Sequence, residues 1–236
     1  MTSLVLIPGL ISDETVWSPL GDALRDRFNI HHADLRNGTS ISTMASTLLE
    51  EVEGSMIVAG HSMGGRVALE TARQAPGRVD GLILADTGCH PMSAGEREKR
   101  QEMIDLAYEG MDRLADRWLP PMVDAARRGD PTLMGNLRAM VLRADAKMHE
   151  RQIRALMNRP DAGAYLSHIA APTLLLVGRQ DEWSPVAQHE EIAAAMPKAK
   201  VVVIDNAGHF APLERPRQVV DAILAWIDSN FRNEHV

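Results

Sequence analysis

The stretch Gly60-His61-Ser62-Met63-Gly64 decides how this chain is read. It has the form G-x-S-x-G, and its setting says more than its letters. An apolar run, Ser55-Met56-Ile57-Val58-Ala59, precedes it, and a helical run starts at Gly65. A serine on a sharp strand-to-helix turn is pushed beyond the end of the sheet with its hydroxyl exposed. The flanking glycines leave room for crowded backbone and allow the unusual torsions of such a turn. The turn also sets Ser62 at a helix N-terminus, where backbone N–H groups point outward unpaired. An oxygen anion forming beside Ser62 would meet donors already in place. The competing reading is a glycine-rich turn with an incidental serine. A base, an acid and a second oxyanion donor elsewhere in the chain decide between the two.

The same strand-then-helix alternation continues outward from this turn. Strands are expected at Leu4–Ile7, Asn29–Ala33, Ser55–Ala59, Gly81–Ala85, Thr173–Val177 and Val201–Ile204. Their short apolar runs predict strands buried on both faces. Helical stretches lie between them, among them Ser42–Val52, Gly65–Gln74, Val186–Ala195 and Gln218–Ser229. This alternation predicts an α/β fold: a mostly parallel sheet of about six strands, with helices on both faces and right-handed crossovers. Ligands in such sheets bind outside the carboxyl ends of the strands, so the informative residues should lie just after strands.

One segment breaks the alternation. Between Pro91 and Tyr165 there is no strand signal, and Met103, Ala107, Met111, Leu114 and Trp118 follow a helical spacing. So do Leu133, Leu137, Met140 and Ala144, while Pro120-Pro121 and Asp130-Pro131 divide the segment into separate helices. We expect a helical cap, residues 91–165, inserted into an α/β core made of residues 1–90 and 166–236. A chain of 236 residues has room for one such domain without staples.

Ser62 needs a base, because a neutral hydroxyl is a poor nucleophile near neutral pH. Nine histidines are available. His209, in Asp205-Asn206-Ala207-Gly208-His209-Phe210, directly follows the last strand and is the best placed. His31 and His32 adjoin the second strand and read as structural or surface residues. His61 neighbours Ser62, but adjacent side chains on such a turn diverge. His90 follows a strand and is a candidate for lining the pocket. His149, His168, His189 and His235 lie in helical or terminal contexts. The base in turn needs an acid to fix its tautomer and stabilise the imidazolium. Asp181 follows the fifth strand, one crossover before His209; Glu182 and Asp86 are the alternatives. For the oxyanion, one donor is expected from the Met63 N–H. The second is expected from the loop Pro8-Gly9-Leu10-Ile11, at the Leu10 N–H.

The chain order Ser62, Asp181, His209 and their strand-end positions resemble the α/β-hydrolase superfamily over nearly the whole chain. Leu4–Trp17 is similar to its oxyanion loop, Gly60–Gly65 to its nucleophile elbow, Pro172–Pro185 to its acid loop and Asn206–Pro216 to its histidine loop. The nearest flavour is the esterase, enol-lactonase and carbon–carbon-bond hydrolase group. Pro8-Gly9 stands where the family often has His-Gly. The family's first two antiparallel strands have no counterpart, which implies a sheet trimmed at its N-terminal side. The resemblance implies two-step acyl transfer on a small to medium ester or lactone, with no cofactor. Alternatives are carbon–carbon hydrolysis or perhydrolase and haloperoxidase-like chemistry on the same triad. A ligand-binding receptor that keeps the triad is the reading from another class.

Composition narrows the partners. The net charge of −7 and the absence of a long basic run argue against a general nucleic-acid surface. No apolar run approaches the ~18 residues of a membrane helix. Cys89 is the single cysteine, so no internal disulfide forms, and a cytoplasmic location is expected. No histidine or cysteine spacing suggests a metal site. Trp17, Trp118, Trp183 and Phe210 are candidates for the pocket wall, and the cap methionines are split between pocket wall and core.

Overall fold

The computed structural model describes residues 2–231. Six strands form one sheet: β1 (Ser3–Ile7), β2 (Asn29–His32), β3 (Met56–His61), β4 (Val79–Ala85), β5 (Thr173–Gly178) and β6 (Ala199–Ile204). Their spatial order is β2-β1-β3-β4-β5-β6, and every neighbouring pair is parallel. The six strands and the four helices expected at Ser42–Val52, Gly65–Gln74, Val186–Ala195 and Gln218–Ser229 are present, with boundaries shifted by at most two residues.

The inner strands β1, β3, β4 and β5 are buried almost throughout, as the apolar runs predict. The edge strands depart from that expectation. In β2, Asn29 and His32 are exposed, and in β6 only Ile204 is fully buried. An edge strand has a partner on one side only, and polar side chains there discourage pairing with a second chain.

The chain steps from β1 to β2 in one direction, then returns across β1 to β3 and continues the other way. With right-handed crossovers, α1 (Ser18–Leu24) lies on one face, and α2 (Ile41–Glu51) and α3 (Met63–Gln74) on the other. The contacts agree: α2 packs on α3, and α1 packs on the last helix, Pro216–Asn230. The loops after β1 and β3 therefore leave the sheet in opposite directions. This switch in direction opens a crevice at the carboxyl ends of the two strands.

The helical insert between β4 and β5 contains α4 (Glu96–Glu109), α5 (Met111–Trp118), α6 (Pro131–Leu142) and α7 (Ala146–Met157). The run from Met103 to Trp118 spans two of these helices, because Gly110, at φ 156°, ends α4 and opens α5. Asp130 caps α6 by accepting the Thr132 and Leu133 amides, with Pro131 at the first helical position. Asp145 caps α7 through the Met148 amide. Met122, Met140, Met148 and Met157 are buried, and Met92, Met103, Met111 and Met134 pack against the core. Among the described residues, no helix is long and apolar enough to cross a membrane.

Candidate active site

Ser62 sits between β3 and α3 with φ 52° and ψ −114°, a conformation that side chains rarely adopt. Backbone bonds hold it there. Its N–H donates to the Ala85 carbonyl at 2.9 Å, and its carbonyl accepts from Thr87 Oγ1 at 2.6 Å and the Gly65 N–H at 3.0 Å. The glycines on either side are forced by crowding: a Cβ on Gly60 would run into the Gly64 carbonyl, and one on Gly64 into the Ile7 carbonyl. The sequence can make this turn only with those two residues bare.

The half-buried Ser62 hydroxyl lies 2.8 Å from His209 Nε2, and His209 Nδ1 lies 2.9 Å from Asp181 Oδ2. The consistent tautomer has Nδ1–H donating to Asp181 and Nε2 accepting the Ser62 proton. The second oxygen of Asp181 accepts the Trp183 and Ser184 amides at 2.8 and 2.9 Å. Burial pushes the Asp181 carboxyl up. The His209 ring beside it and these hydrogen bonds outweigh burial and hold the group below its ordinary value. Asp181 is therefore the carboxylate in contact with His209.

The two alternatives lie elsewhere. Glu182 is exposed. Asp86 is fully buried and accepts the Gly178 and Ala211 amides at 2.9 and 3.2 Å, so it ties the acid loop to the histidine loop. Burial, then repulsion from Asp181, drives its carboxyl well above the ordinary range.

The loop after β1 turns tightly, with the Ser12 N–H donating to the Gly9 carbonyl at 3.3 Å. Neither the Leu10 nor the Met63 N–H has a hydrogen-bond acceptor among the described residues. Phe210 is completely buried and touches both histidine rings, at 5.3 Å from His61 and 6.1 Å from His209. Trp118, from the insert, meets Phe210 edge-on at 6.0 Å. Trp17 is buried in the core, its indole N–H donating to the Ile7 carbonyl at 3.0 Å. Trp183 is 57 % exposed.

His61 is not in contact with the Ser62 hydroxyl; its Nε2–H donates to the His209 carbonyl at 2.7 Å. Burial and the neighbouring His209 lower its pKa to about 3, so its ring is neutral. His90 is exposed, 3.2 Å from Glu191, and His31 lies 3.4 Å from Glu51. His32 and His168 are exposed, His149 and His189 are buried, and His235 lies outside the described residues. Among the described residues, no cluster of histidine, cysteine and carboxylate side chains could hold a metal ion.

Several supporting residues escaped the sequence reading. Thr87 grips the Ser62 carbonyl, and its own N–H donates to His189 Nε2 at 3.1 Å. Buried Glu214 accepts the Asp124, Gly208 and Phe210 amides, while the His209 N–H donates to the Met122 carbonyl at 2.7 Å. The insert is thus fastened to the loop that carries His209. Thr87 had a signal, its place just after a strand; Glu214 had none beyond its nearness to His209.

A model of the alpha/beta hydrolase family matches residues 4–222. The chain belongs to the alpha/beta hydrolase family. Among its relatives is a pimeloyl-[acyl-carrier protein] methyl ester esterase of Nitrosomonas europaea, 27 % identical, with 92 % of each chain covered. A thermophilic esterase from Thermogutta terrifontis has a similar structure, with a TM-score of 0.89 and 29 % identity. That match covers 97 % of this chain and 90 % of the other. An enol-lactonase from Burkholderia xenovorans LB400 shares the fold at 21 % identity, with a TM-score of 0.85 over 96 % of this chain and 92 % of that one. The six-stranded parallel sheet with its helical insert is the hydrolase fold in this form.

Proposed function

We propose that this hydrolase cleaves a small to medium carboxylic ester or lactone through an acyl-enzyme on Ser62. The observation that carries the reading is the unbroken chain from the Ser62 hydroxyl through His209 to Asp181, together with the Leu10 and Met63 amides, which have no acceptor among the described residues. In the first step, His209 Nε2 takes the hydroxyl proton as Ser62 Oγ attacks the ester carbonyl. The carbonyl oxygen becomes an anion, and the Leu10 and Met63 N–H groups receive it. Such donors, aimed in advance, supply much of the rate enhancement in acyl transfer. The imidazolium, stabilised by Asp181, gives its proton to the leaving alcohol. Water then enters, loses a proton to His209 and releases the acid from Ser62.

Phe210 packs on the His209 ring and Trp118 packs on Phe210, an apolar flank that suits a substrate with an apolar acyl or alcohol group. We read residues 91–165 as the cap that closes over this group. The chemistry calls for no cofactor, and the lone Cys89 fits a reducing cytoplasm.

A panel of short-chain p-nitrophenyl esters, lactones and vinylogous diketones, run against the protein and against Ser62→Ala, tests the reading. Ester or lactone turnover that disappears in Ser62→Ala is the expected result. Turnover confined to the diketones would move the assignment to carbon–carbon cleavage. Ester hydrolysis that persists in Ser62→Ala would remove Ser62 from the mechanism.

A further inference from the structure

The turn Gly9–Ser12 contains a second strained residue. Ile11 has φ 42°, although its branched side chain disfavours positive φ more than almost any other. It occupies the third position of a turn closed by the Ser12 amide on the Gly9 carbonyl, where glycine or asparagine is usual. Nothing in the local sequence favours this conformation, so something outside the loop must hold it.

The holding group is Gln152, on α7 of the helical insert and 141 residues away in sequence. Its Oε1 accepts the Ile11 N–H at 2.8 Å, and its Nε2 donates to the Leu35 carbonyl at 3.3 Å. The side chain is completely buried. The carbonyl on the other side of the Leu10–Ile11 peptide accepts from Ser12 Oγ at 3.1 Å. Both ends of this peptide are therefore gripped, and it cannot flip to relieve Ile11. The two partners also specify glutamine: one needs an acceptor and the other a donor, in a site closed to water.

We propose that Gln152 is a positioning residue for the oxyanion turn, holding the Leu10 N–H at the place where the anion forms. This rests on the reading of Ser62 as nucleophile and Leu10 as donor. It makes the insert part of the rate machinery as well as the cover of the pocket. Without Gln152, the Ile11 N–H loses its acceptor, the strained turn relaxes, and the neighbouring Leu10 amide is no longer held. Donors of this kind must stay within about 0.5 Å of their working position. A misplacement of ~1 Å costs about 10²-fold in rate.

The test is the second-order rate at which a fluorophosphonate labels Ser62, followed by intact-protein mass spectrometry. Endpoint labelling counts competent sites, and a thermal melt is run on each variant. Gln152→Met keeps the volume but loses both polar contacts; its labelling rate per competent site should fall ~30- to 100-fold. Gln152→Glu keeps an oxygen for the Ile11 N–H and should recover a substantial part of that loss. If Gln152→Met does not fold, Gln152→Asn, one methylene too short to reach both partners, takes its place with the same expected loss.

A purely structural role would lower the melting temperature and the endpoint while leaving the rate per site within about threefold of wild type. That result, or a Gln152→Glu protein no faster than Gln152→Met, would overturn the proposal while leaving Ser62 in place. Labelling that survives at full rate in Ser62→Ala would overturn both readings together.

Discussion

Replacing Ser62 by glycine should give a more stable protein than replacing it by alanine. Both variants lose Oγ and its hydrogen bond to His209, so that loss cancels in the comparison. What remains is the backbone. Three bonds, to Ala85, Thr87 and Gly65, hold φ at 52° and ψ at −114° whatever the side chain, so alanine cannot relax away from the strain. A Cβ in such a sparsely populated region costs about 1–3 kcal/mol. Glycine removes that cost but loses roughly 0.5–1 kcal/mol more conformational entropy on folding. At the middle of these ranges the difference favours Ser62→Gly by about 1 kcal/mol, within outer limits of about 0 and 2.5 kcal/mol. For a domain of this length, 1 kcal/mol moves the melting temperature by ~2–4 °C, so the two variants should separate by about that amount. Paired calorimetric melts and urea titrations, with equal m-values to confirm a shared denatured state, measure it. An alanine variant that melts at or above the glycine variant would refute strain storage at the elbow.

Asp181→Asn should lower kcat by about 10⁴-fold by upsetting the His209 tautomer, while Glu182→Gln stays near wild type in the same ester assay; the reverse ranking would transfer the acid role to Glu182. Burial raises the Glu70 carboxyl, but hydrogen bonds from Arg73, Gln74 and Ser42 outweigh it and hold the group at about 2. A carboxyl depressed in the folded state stabilises fully above its unfolded value and loses that contribution as pH falls through the folded one. The stability gap between wild type and Glu70→Gln should therefore shrink from pH 5 towards pH 2 in thermal melts. A gap that stays constant would mean that the Glu70 network is not charge-dependent.

The sheet was legible in the sequence because its inner strands are short apolar runs, and a parallel strand buried on both faces leaves no other pattern. Ser62, Asp181 and His209 were legible as residues placed at strand ends, since parallel topology brings those ends to one side of the sheet. The edge strands were less so: burial there depends on how many neighbours a strand has, which Asn29–His32 does not reveal. The break at Gly110 was hidden because the apolar spacing continues in phase across it, and only the glycine marks the turn. Gln152 and Glu214 left no readable trace. Each acts through backbone amides, and an amide's need for a partner is set by tertiary contacts and not by the identity of its residue.

The two parts of the molecule divide the work. The core supplies Ser62, His209 and Asp181, each fixed by the end of a strand. Two strained or crowded loops beside them are completed by the insert: Gln152 reaches the Ile11 amide, and the 122–124 segment docks on the loop around His209. Trp118, from the same insert, packs on Phe210, which touches the His209 ring. Substitutions in the insert meant to alter substrate choice therefore act on groups that also hold the loops carrying the proposed site. On the proposed reading, selectivity and rate should be coupled, most strongly where a residue of the insert touches core backbone. Positions of the insert that contact only solvent or one another, such as the salt-bridged pair Glu109 and Arg113, are free of it. Changes at those positions should leave kcat unaltered, whereas changes near Met122 and Gln152 should reduce rate for every substrate alike before they discriminate between any two.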